Sequence, residues 1–172
     1  MIKIHKEGRT WLLILLFGLT IMNSLLFYLA NSMVLSIITG VISLGFFIFF
    51  TYFFRIPNRI VIADENYIVA PADGKIVVIE PTMENEFLKE KRLQVSIFMS
   101  VFDVHANWFP IAGKVKHVSH QNGRYMAAYL PKSSTENERS TILIETKCKN
   151  AILVRQIAGA LARRIVTYAK EG

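Results

Sequence analysis

The distribution of apolar and polar positions separates a strongly apolar N-terminal block from a mixed remainder. Residues 10–54 contain no Asp, Glu, Lys, Arg, His or Pro. About 20 apolar residues suffice for a helix to cross a bilayer, so this 45-residue block is long enough for two spans. The polar pair Asn31-Ser32 lies near its middle, where a turn is expected. The pattern predicts a membrane hairpin of two helices, at about residues 11–30 and 33–54.

Two other kinds of segment place an apolar block near the start of a chain. A secretory signal peptide has a far shorter apolar core and ends at a cleavage site made of small residues. Core helices of a soluble protein normally carry polar residues at helical spacing. Neither description fits residues 10–54, so the membrane hairpin is the better interpretation.

Basic residues flank the block on both sides and indicate its orientation. Lys3, Lys6 and Arg9 precede the first span, and Arg55 and Arg59 follow the second. Lys and Arg are enriched on the cytoplasmic side of membrane proteins, and an even number of spans allows both flanks to stay there. We therefore predict a multi-pass protein of the cell membrane, with the rest of the chain on the cytoplasmic face.

After the second basic flank, short apolar runs alternate with turn signals. Asp73-Gly74 and Asn122-Gly123 are dipeptides typical of tight hairpin turns. Strands at this spacing favour a mainly β domain of the sandwich or barrel-like type. The sequence thus divides into an anchor domain at residues 1–59 and a β domain at residues 60–172. The predicted strands lie at residues 67–70, 75–80, 93–99, 114–120, 141–146 and 152–157.

Three further segments of the second domain have less regular patterns. Residues 84–91 are polar and predict a loop or a short helix, and residues 132–138 predict a polar, solvated loop. Residues 157–168 show apolar positions at helical spacing together with a glycine and a β-branched run. The β-branched run favours a strand there.

Charge and cysteine content exclude several classes of function. The net charge is +7, but no basic run with interleaved aromatic residues marks a nucleic-acid interface. A mildly basic surface beside a membrane favours anionic lipid headgroups instead. Cys148 is the only cysteine, so the chain has no internal disulfide and no multi-cysteine metal site.

The candidates for chemistry are Asp73 and His105. Each has an ordinary explanation, because an Asp in a turn commonly caps its own backbone and a loop His is commonly packed or solvated. Together they mean more, since a carboxylate that orients an imidazole allows the ring to activate a nearby hydroxyl. No serine stands in a motif that would mark it as the nucleophile; Ser100, Ser133 and Ser134 all lack one. The residues alone therefore give only weak support for a hydrolase triad.

Two other histidines do not suggest a metal site. His117 and His120 are three residues apart on a predicted strand. Because side chains alternate along a strand, the two imidazoles are expected on opposite faces and do not easily share one ion. We expect no metal.

Five strings of sequence occur in a distinctive order along the chain. They are Phe-Phe-Arg-Ile-Pro-Asn-Arg at 53–59, Ala-Pro-Ala-Asp-Gly-Lys at 70–75, Ser-Ile-Phe-Met-Ser running into Val-His-Ala-Asn-Trp at 96–108, Lys-Ser-Ser-Thr-Glu-Asn-Glu-Arg-Ser at 132–140, and Gln-Ile-Ala-Gly-Ala-Leu-Ala-Arg-Arg-Ile-Val at 156–166. In this order, and together with the two spans, they resemble the phosphatidylserine decarboxylase family in its short membrane-hairpin form. The resemblance covers essentially the whole chain.

The resemblance implies a function that the residues alone do not reveal. Members of the family are carboxy-lyases that convert phosphatidylserine to phosphatidylethanolamine in phospholipid biosynthesis. A proenzyme cuts itself at a Gly-Ser bond, and the freed serine becomes a covalent pyruvoyl cofactor. The resemblance assigns Asp73 and His105 as catalytic residues that assist this cleavage. Some longer members carry a second His at the position of Phe102, and that contribution is not transferred to this chain.

The resemblance also implies a missing segment. The family places its self-cleaving Gly-Ser string beyond the position of Gly172, so the sequence is expected to be truncated and, by itself, inactive. The expected partners are phosphatidylserine in the membrane and the C-terminal, pyruvoyl-bearing chain. A homo-oligomer is a further possible assembly. The expected fold of the β domain is of the hybrid-barrel type.

Three alternatives remain open. The chain could be a non-catalytic, membrane-tethered β module that binds a partner or lipid headgroups. It could be a biotinyl or lipoyl carrier, although Lys75 lacks the methionine neighbours that such domains use. It could also be a related pyruvoyl enzyme that acts on a different amino-acid headgroup.

Overall fold

The computed structural model describes residues 3–60, 67–128, 130 and 132–172. They fall into two compact units, Met1–Val61 with Phe102–Ala106 and Ile62–Val101 with Asn107–Gly172. We call these the hairpin unit and the β unit. Residues 1, 2, 61–66, 129 and 131, which the predicted domain ranges include, lie outside the described residues. The functional domain boundary after residue 59 stays a prediction.

Two long helices form the hairpin unit. Helix α1 spans Lys6–Ala30 and helix α2 spans Met33–Phe53. Asn31 is the C-cap of α1 and has a left-handed backbone, with φ 43°. Ser32 is the N-cap of α2, and its hydroxyl accepts a hydrogen bond from the N–H of Leu35. Asn tolerates the left-handed conformation better than most residues, which explains why the chain turns there. The two predicted apolar helices and the turn between them are confirmed.

The surface of the hairpin is apolar almost throughout. Phe17, Leu29 and Ile42 each expose about two thirds of their surface, and both helices are long and apolar enough to cross a membrane. Exposing so much apolar surface to water would be unfavourable, at about 25 cal/mol per Å². The two helices therefore suggest membrane association.

The two ends of the hairpin lie together. Strand β1 (Lys3–Ile4) pairs antiparallel with strand β2 (Arg55–Ile56), and the N–H of His5 donates to the carbonyl oxygen of Phe54 at 2.9 Å. Between the helices, the Asn23 amide donates to the Ser43 hydroxyl at 2.8 Å. The residues before α1 and after α2 are therefore at the same end of the unit.

The β unit is rich in sheet, as predicted. Its described residues form a two-stranded antiparallel sheet and a three-stranded antiparallel sheet in the order β5-β6-β7. Because β6 is the central strand of the larger sheet, Ser140, Thr141, Ile142 and Ile144 are buried on it. The strands are β3 (Lys75–Glu84), β4 (Glu90–Phe98), β5 (Lys114–Gln121), β6 (Arg139–Glu145) and β7 (Ala151–Ile157), with a short helix α3 at Ser133–Glu136.

A charged cluster joins the β3–β4 turn to the larger sheet. The Glu84 carboxylate accepts the N–H groups of the three residues 86–88. Arg155 binds Glu84 at 3.3 Å and Glu86 at 2.9 Å, while Arg139 binds Glu86 at 2.8 Å. Burial raises the pKa of Glu84, but the backbone donors and Arg155 outweigh it, so this pKa lies below its ordinary value. Of the two predictions for residues 84–91, the loop is therefore right and the short helix is wrong, because a turn joins the end of β3 at Glu84 to the start of β4 at Glu90.

The predicted strand at residues 67–70 is wrong. These residues form no ladder; the N–H of Val69 donates to the carbonyl oxygen of Pro110, and Trp108 donates likewise to Pro71. Asp73-Gly74 therefore leads into β3 without forming a two-strand hairpin. Gly74 is required there for another reason, because its φ is 143° and a Cβ would lie 2.2 Å from the carbonyl oxygen of Phe98.

Three further expectations are corrected in the β unit. Asn122-Gly123 makes no tight hairpin, because the chain passes through α3 before it returns as β6. Residues 158–168 form neither strand nor helix. Residues 132–138 are not a solvated loop: Ser133, Asn137 and Glu138 are buried. The Asn137 amide bonds both the N–H and the carbonyl oxygen of Met126, and also the carbonyl oxygen of Ala158, so it organises the surrounding loops.

Candidate active site

The segment that carries His105 is fixed to the end of the hairpin. Val104 is almost fully buried, and the Phe102 ring meets the Phe49 ring edge-on at 6.2 Å. Arg55, just after α2, donates from Nη2 to the carbonyl oxygen of Phe102 at 2.8 Å. These contacts explain why residues 102–106 belong to the hairpin unit, although they follow a strand of the β unit.

His105 is held by two contacts that set its orientation and protonation. Its ring stacks on the Phe53 ring, with centroids 4.3 Å apart and planes inclined by 28°. Its Nδ1 lies 3.1 Å from the backbone carbonyl oxygen of Asp103. A carbonyl oxygen can only accept a hydrogen bond, so Nδ1 carries the proton, and in the neutral ring Nε2 then keeps its lone pair. Nε2 is therefore the atom that can accept a proton.

The surroundings also favour the neutral form of the ring. Burial lowers the pKa of His105, the carbonyl and carboxylate of Asp103 raise it, and the Arg55 guanidinium lowers it. The net result is a pKa below the ordinary histidine value. The imidazole is uncharged near neutral pH, which is the state that a general base requires.

Asp73 lies in the β unit, in the short segment between Pro71 and β3. Pro71 accepts the Trp108 N–H, and Gly74 lies against the backbone of Phe98, so the segment is held on both sides. That Asp73 steers the His105 imidazole stays a prediction.

The structure reveals groups that the sequence analysis missed. The backbone of Asp103 sets the tautomer of His105, while Phe53 and Arg55 hold the ring and its segment. Phe53 and Arg55 belong to the first of the five strings, so their position in a motif was visible. Their proximity to a residue about fifty positions later was not visible, because it depends on the fold.

A second polar cluster lies within the β unit. Here the Glu138 carboxylate is buried, accepts the Ile165 N–H at 3.0 Å and lies 3.5 Å from Nε2 of His120. Arg163 and Arg164 add positive charge. These residues line a cavity of about 510 Å³. Its lining consists of His120, Asn122, Tyr125, Glu138 and residues 163–167.

The other histidine predictions concern the strand β5. His117 pairs with Leu143 and His120 pairs with Ser140, so the two lie on opposite faces, as predicted. His117 contacts Glu171 and Phe87. Across the described residues, no three His, Cys, Asp or Glu side chains are grouped as metal ligands.

Comparison with known proteins identifies the family. A family model described as phosphatidylserine decarboxylase matches residues 46–172. The phosphatidylserine decarboxylase proenzyme of Parabacteroides distasonis is 56% identical over 171 residues, covering 99% of this chain and 78% of the relative. The chain belongs to the phosphatidylserine decarboxylase family. The predicted resemblance is confirmed.

Other relatives of the phosphatidylserine decarboxylase family extend the same match. The proenzyme of Porphyromonas gingivalis is 53% identical over 172 residues, covering 99% of this chain and 78% of the relative. That of Bacteroides thetaiotaomicron is 49% identical over 172 residues, covering 99% and 75%. The likeness therefore includes α1, which precedes the region matched by the family model.

Proposed function

We propose that this chain forms the membrane-bound part of a phosphatidylserine decarboxylase proenzyme, with His105 as its general base. The family converts phosphatidylserine to phosphatidylethanolamine by releasing carbon dioxide. One observation carries the assignment of His105: its Nδ1 faces a carbonyl oxygen, so that in the neutral ring Nε2 is the unprotonated nitrogen. The lowered pKa of the ring supports the same role.

The chemistry of these side chains suits the family's pyruvoyl cofactor, which is made from a serine. His105 would accept the proton of that serine hydroxyl at Nε2, and Asp73 would assist. When formed, the pyruvoyl group supplies a carbonyl that takes up the substrate amine and the electrons released with carbon dioxide. The match to this chain covers 75–78% of the length of two of the relatives.

We also propose how the chain lies in the membrane. The two helices would cross the bilayer, and both ends of the hairpin would face the cytoplasm. The joined strands β1 and β2 support this, because they hold the two basic flanks at one end of the unit. The phosphatidylserine headgroup would then be processed at the bilayer surface, and its acyl chains would stay in the lipid.

For the β unit we propose a barrel-like fold of the hybrid type. The sheet of β3 and β4 exposes several large apolar side chains, among them Ile79, Leu93 and Val95. Exposed apolar patches of this kind are uncommon on soluble domains. A barrel-like arrangement of the β unit would cover this face.

The test is self-processing of the complete proenzyme in lipid. His105→Ala should leave a single uncut chain on a denaturing gel, whereas His117→Ala is the matched control and should be cut normally, because His117 lies in the β unit and outside the proposed site. Cleavage of the His105→Ala variant at the unmodified rate would remove His105 from the mechanism.

A further inference from the structure

We propose that the membrane hairpin contributes two positioning residues to the active site, Phe53 and Arg55, which hold the His105 imidazole in its working orientation. The hairpin would then be a part of the catalytic apparatus as well as an anchor. This inference rests on the proposed role of His105 as general base.

The first contact is the stacking of the Phe53 ring on the His105 imidazole, and the Phe53 ring is itself packed against Phe54. Phe53 is the last residue of α2, and its ring covers one face of the His105 imidazole at 4.3 Å. The Phe54 ring meets the Phe53 ring edge-on at 5.2 Å. Phe54 in turn lies against Gly8 of α1, where an added Cβ would be 2.4 Å from its ring. The platform under His105 is therefore fixed by both helices.

The second contact is a clamp, by which we mean the pair of hydrogen bonds that the Arg55 guanidinium donates to two backbone carbonyl groups. Arg55 donates from Nη1 to the carbonyl oxygen of Tyr52 and from Nη2 to that of Phe102, both at 2.8 Å. Its Cζ lies over the Tyr52 ring, 3.5 Å from the ring centroid. One side chain thus joins the last turn of α2 to the segment of His105. A lysine keeps the charge but cannot make two bonds in fixed directions.

These two residues affect the ring by different physical means. The charged groups that act on the imidazole are Asp103 from its own segment and Arg55 from the hairpin. Removing the Phe53 ring admits water to the imidazole, and removing the Arg55 charge withdraws a repulsion; each change raises the pKa of His105. Replacing Arg55 by Lys keeps the repulsion and loses the clamp. These three effects, which are the exclusion of water by Phe53, the charge of Arg55 and the hydrogen bonds of Arg55, can be separated by substitution.

The direct experiment observes the imidazole itself. The chain, labelled with 15N-histidine, is placed in nanodiscs and titrated by NMR, and the His105 signals are assigned by their loss in His105→Gln. Phe53→Leu and Arg55→Met should raise the pKa of His105 and weaken its preference for the Nδ1–H tautomer. Arg55→Lys should weaken the tautomer preference with little change in pKa, and Phe53→Tyr should behave like the unmodified chain.

A matched control excludes a general effect of altering the hairpin. Phe17→Leu makes the same change at an exposed position of α1 and should leave the His105 signals unchanged. If Phe53→Leu and Arg55→Met also leave both pKa and tautomer unchanged, the positioning role is wrong. Helical content measured by circular dichroism should be the same for all variants.

A second experiment separates this inference from the proposed function. In the complete proenzyme, Phe53→Leu should slow self-cleavage by roughly tenfold or more, and Phe53→Tyr should restore it. If Phe53→Leu shifts the NMR signals but cleavage proceeds normally, Phe53 does position the ring and the proposed role of His105 as base fails. If neither the signals nor cleavage change, the positioning role fails and His105→Ala still decides the base.

Discussion

The hairpin unit and the β unit differ in how far side-chain hydrogen bonds and ion pairs connect their segments. In the hairpin, the interior contact between the helices includes one amide, Asn23, whose Oδ1 is buried without a partner. In the β unit, Asn137 is buried to 2% exposure with its amide fully bonded, and charged residues close the β3–β4 turn onto the sheet. The hairpin exposes apolar surface that suggests membrane association, whereas the β unit contains bonded polar groups such as Asn137. The β unit also has buried side-chain atoms without a partner, on Ser119, Ser140, Arg155 and Gln156.

The candidate base, His105, belongs to the hairpin unit. His105 follows a strand of the β unit in sequence but is held by the end of α2. It is therefore associated with the unit that is adapted to lipid. Under the proposed function, a base at the end of α2 would suit a substrate whose headgroup lies at the bilayer surface.

The largest effect is expected from the buried amide of the β unit. Asn137→Ala removes three hydrogen bonds and leaves three backbone groups without partners, which should lower the free energy of unfolding by about 3 kcal/mol. Hydrogen exchange of the β6 amides in nanodiscs measures this. Asn150→Ala, at an exposed turn, is the control and should change little. Equal protection in both variants would contradict the organising role of Asn137.

An intermediate, pH-dependent effect is expected from Glu84. Its pKa is lowered in the folded state, so its stabilisation is present above the ordinary value of 4.5 and is lost as the pH falls through the folded value. Glu84→Gln should reduce the free energy of unfolding by about 1–2 kcal/mol at pH 7 and by much less in acid. Thermal unfolding at several pH values checks this. A constant difference across that range would mean that the carboxylate charge is unimportant.

The smallest effect is expected from the polar contact of the hairpin. Asn23→Leu loses the bond to Ser43 but also removes the unpartnered Oδ1, and interhelical bonds of this kind contribute about 0.6 kcal/mol on average. Steric trapping of the hairpin in bicelles should therefore show a change below about 1 kcal/mol. A loss as large as that of Asn137→Ala would erase the contrast between the two units.

The features that were predictable are those encoded by neighbouring residues. The hairpin follows from residues 10–54 because lipid requires every position of a span to be compatible with it. Asn31 marked the turn because Asn tolerates the left-handed backbone that ends α1. The sequence resemblance identified Asp73 and His105, but it did not indicate what surrounds them.

The features that were missed depend on pairing between distant segments. Asp73-Gly74 signals a bend, yet the strand after it pairs with β4 and not with residues 67–70. Likewise, no local pattern shows that Phe53 lies under His105, because fifty residues separate them. Turn dipeptides indicate where the chain bends, but they do not show which strands pair with each other.

The central claim is that His105 is a general base kept neutral by its position at the hairpin end. The most direct measurement is the pH dependence of self-cleavage by the proenzyme in nanodiscs. Because only the neutral ring accepts a proton and its pKa is lowered, the rate should rise with pH through a midpoint below 6.5 and then stay constant. A midpoint at or above 6.5, or an identical profile in His105→Gln, would contradict the claim.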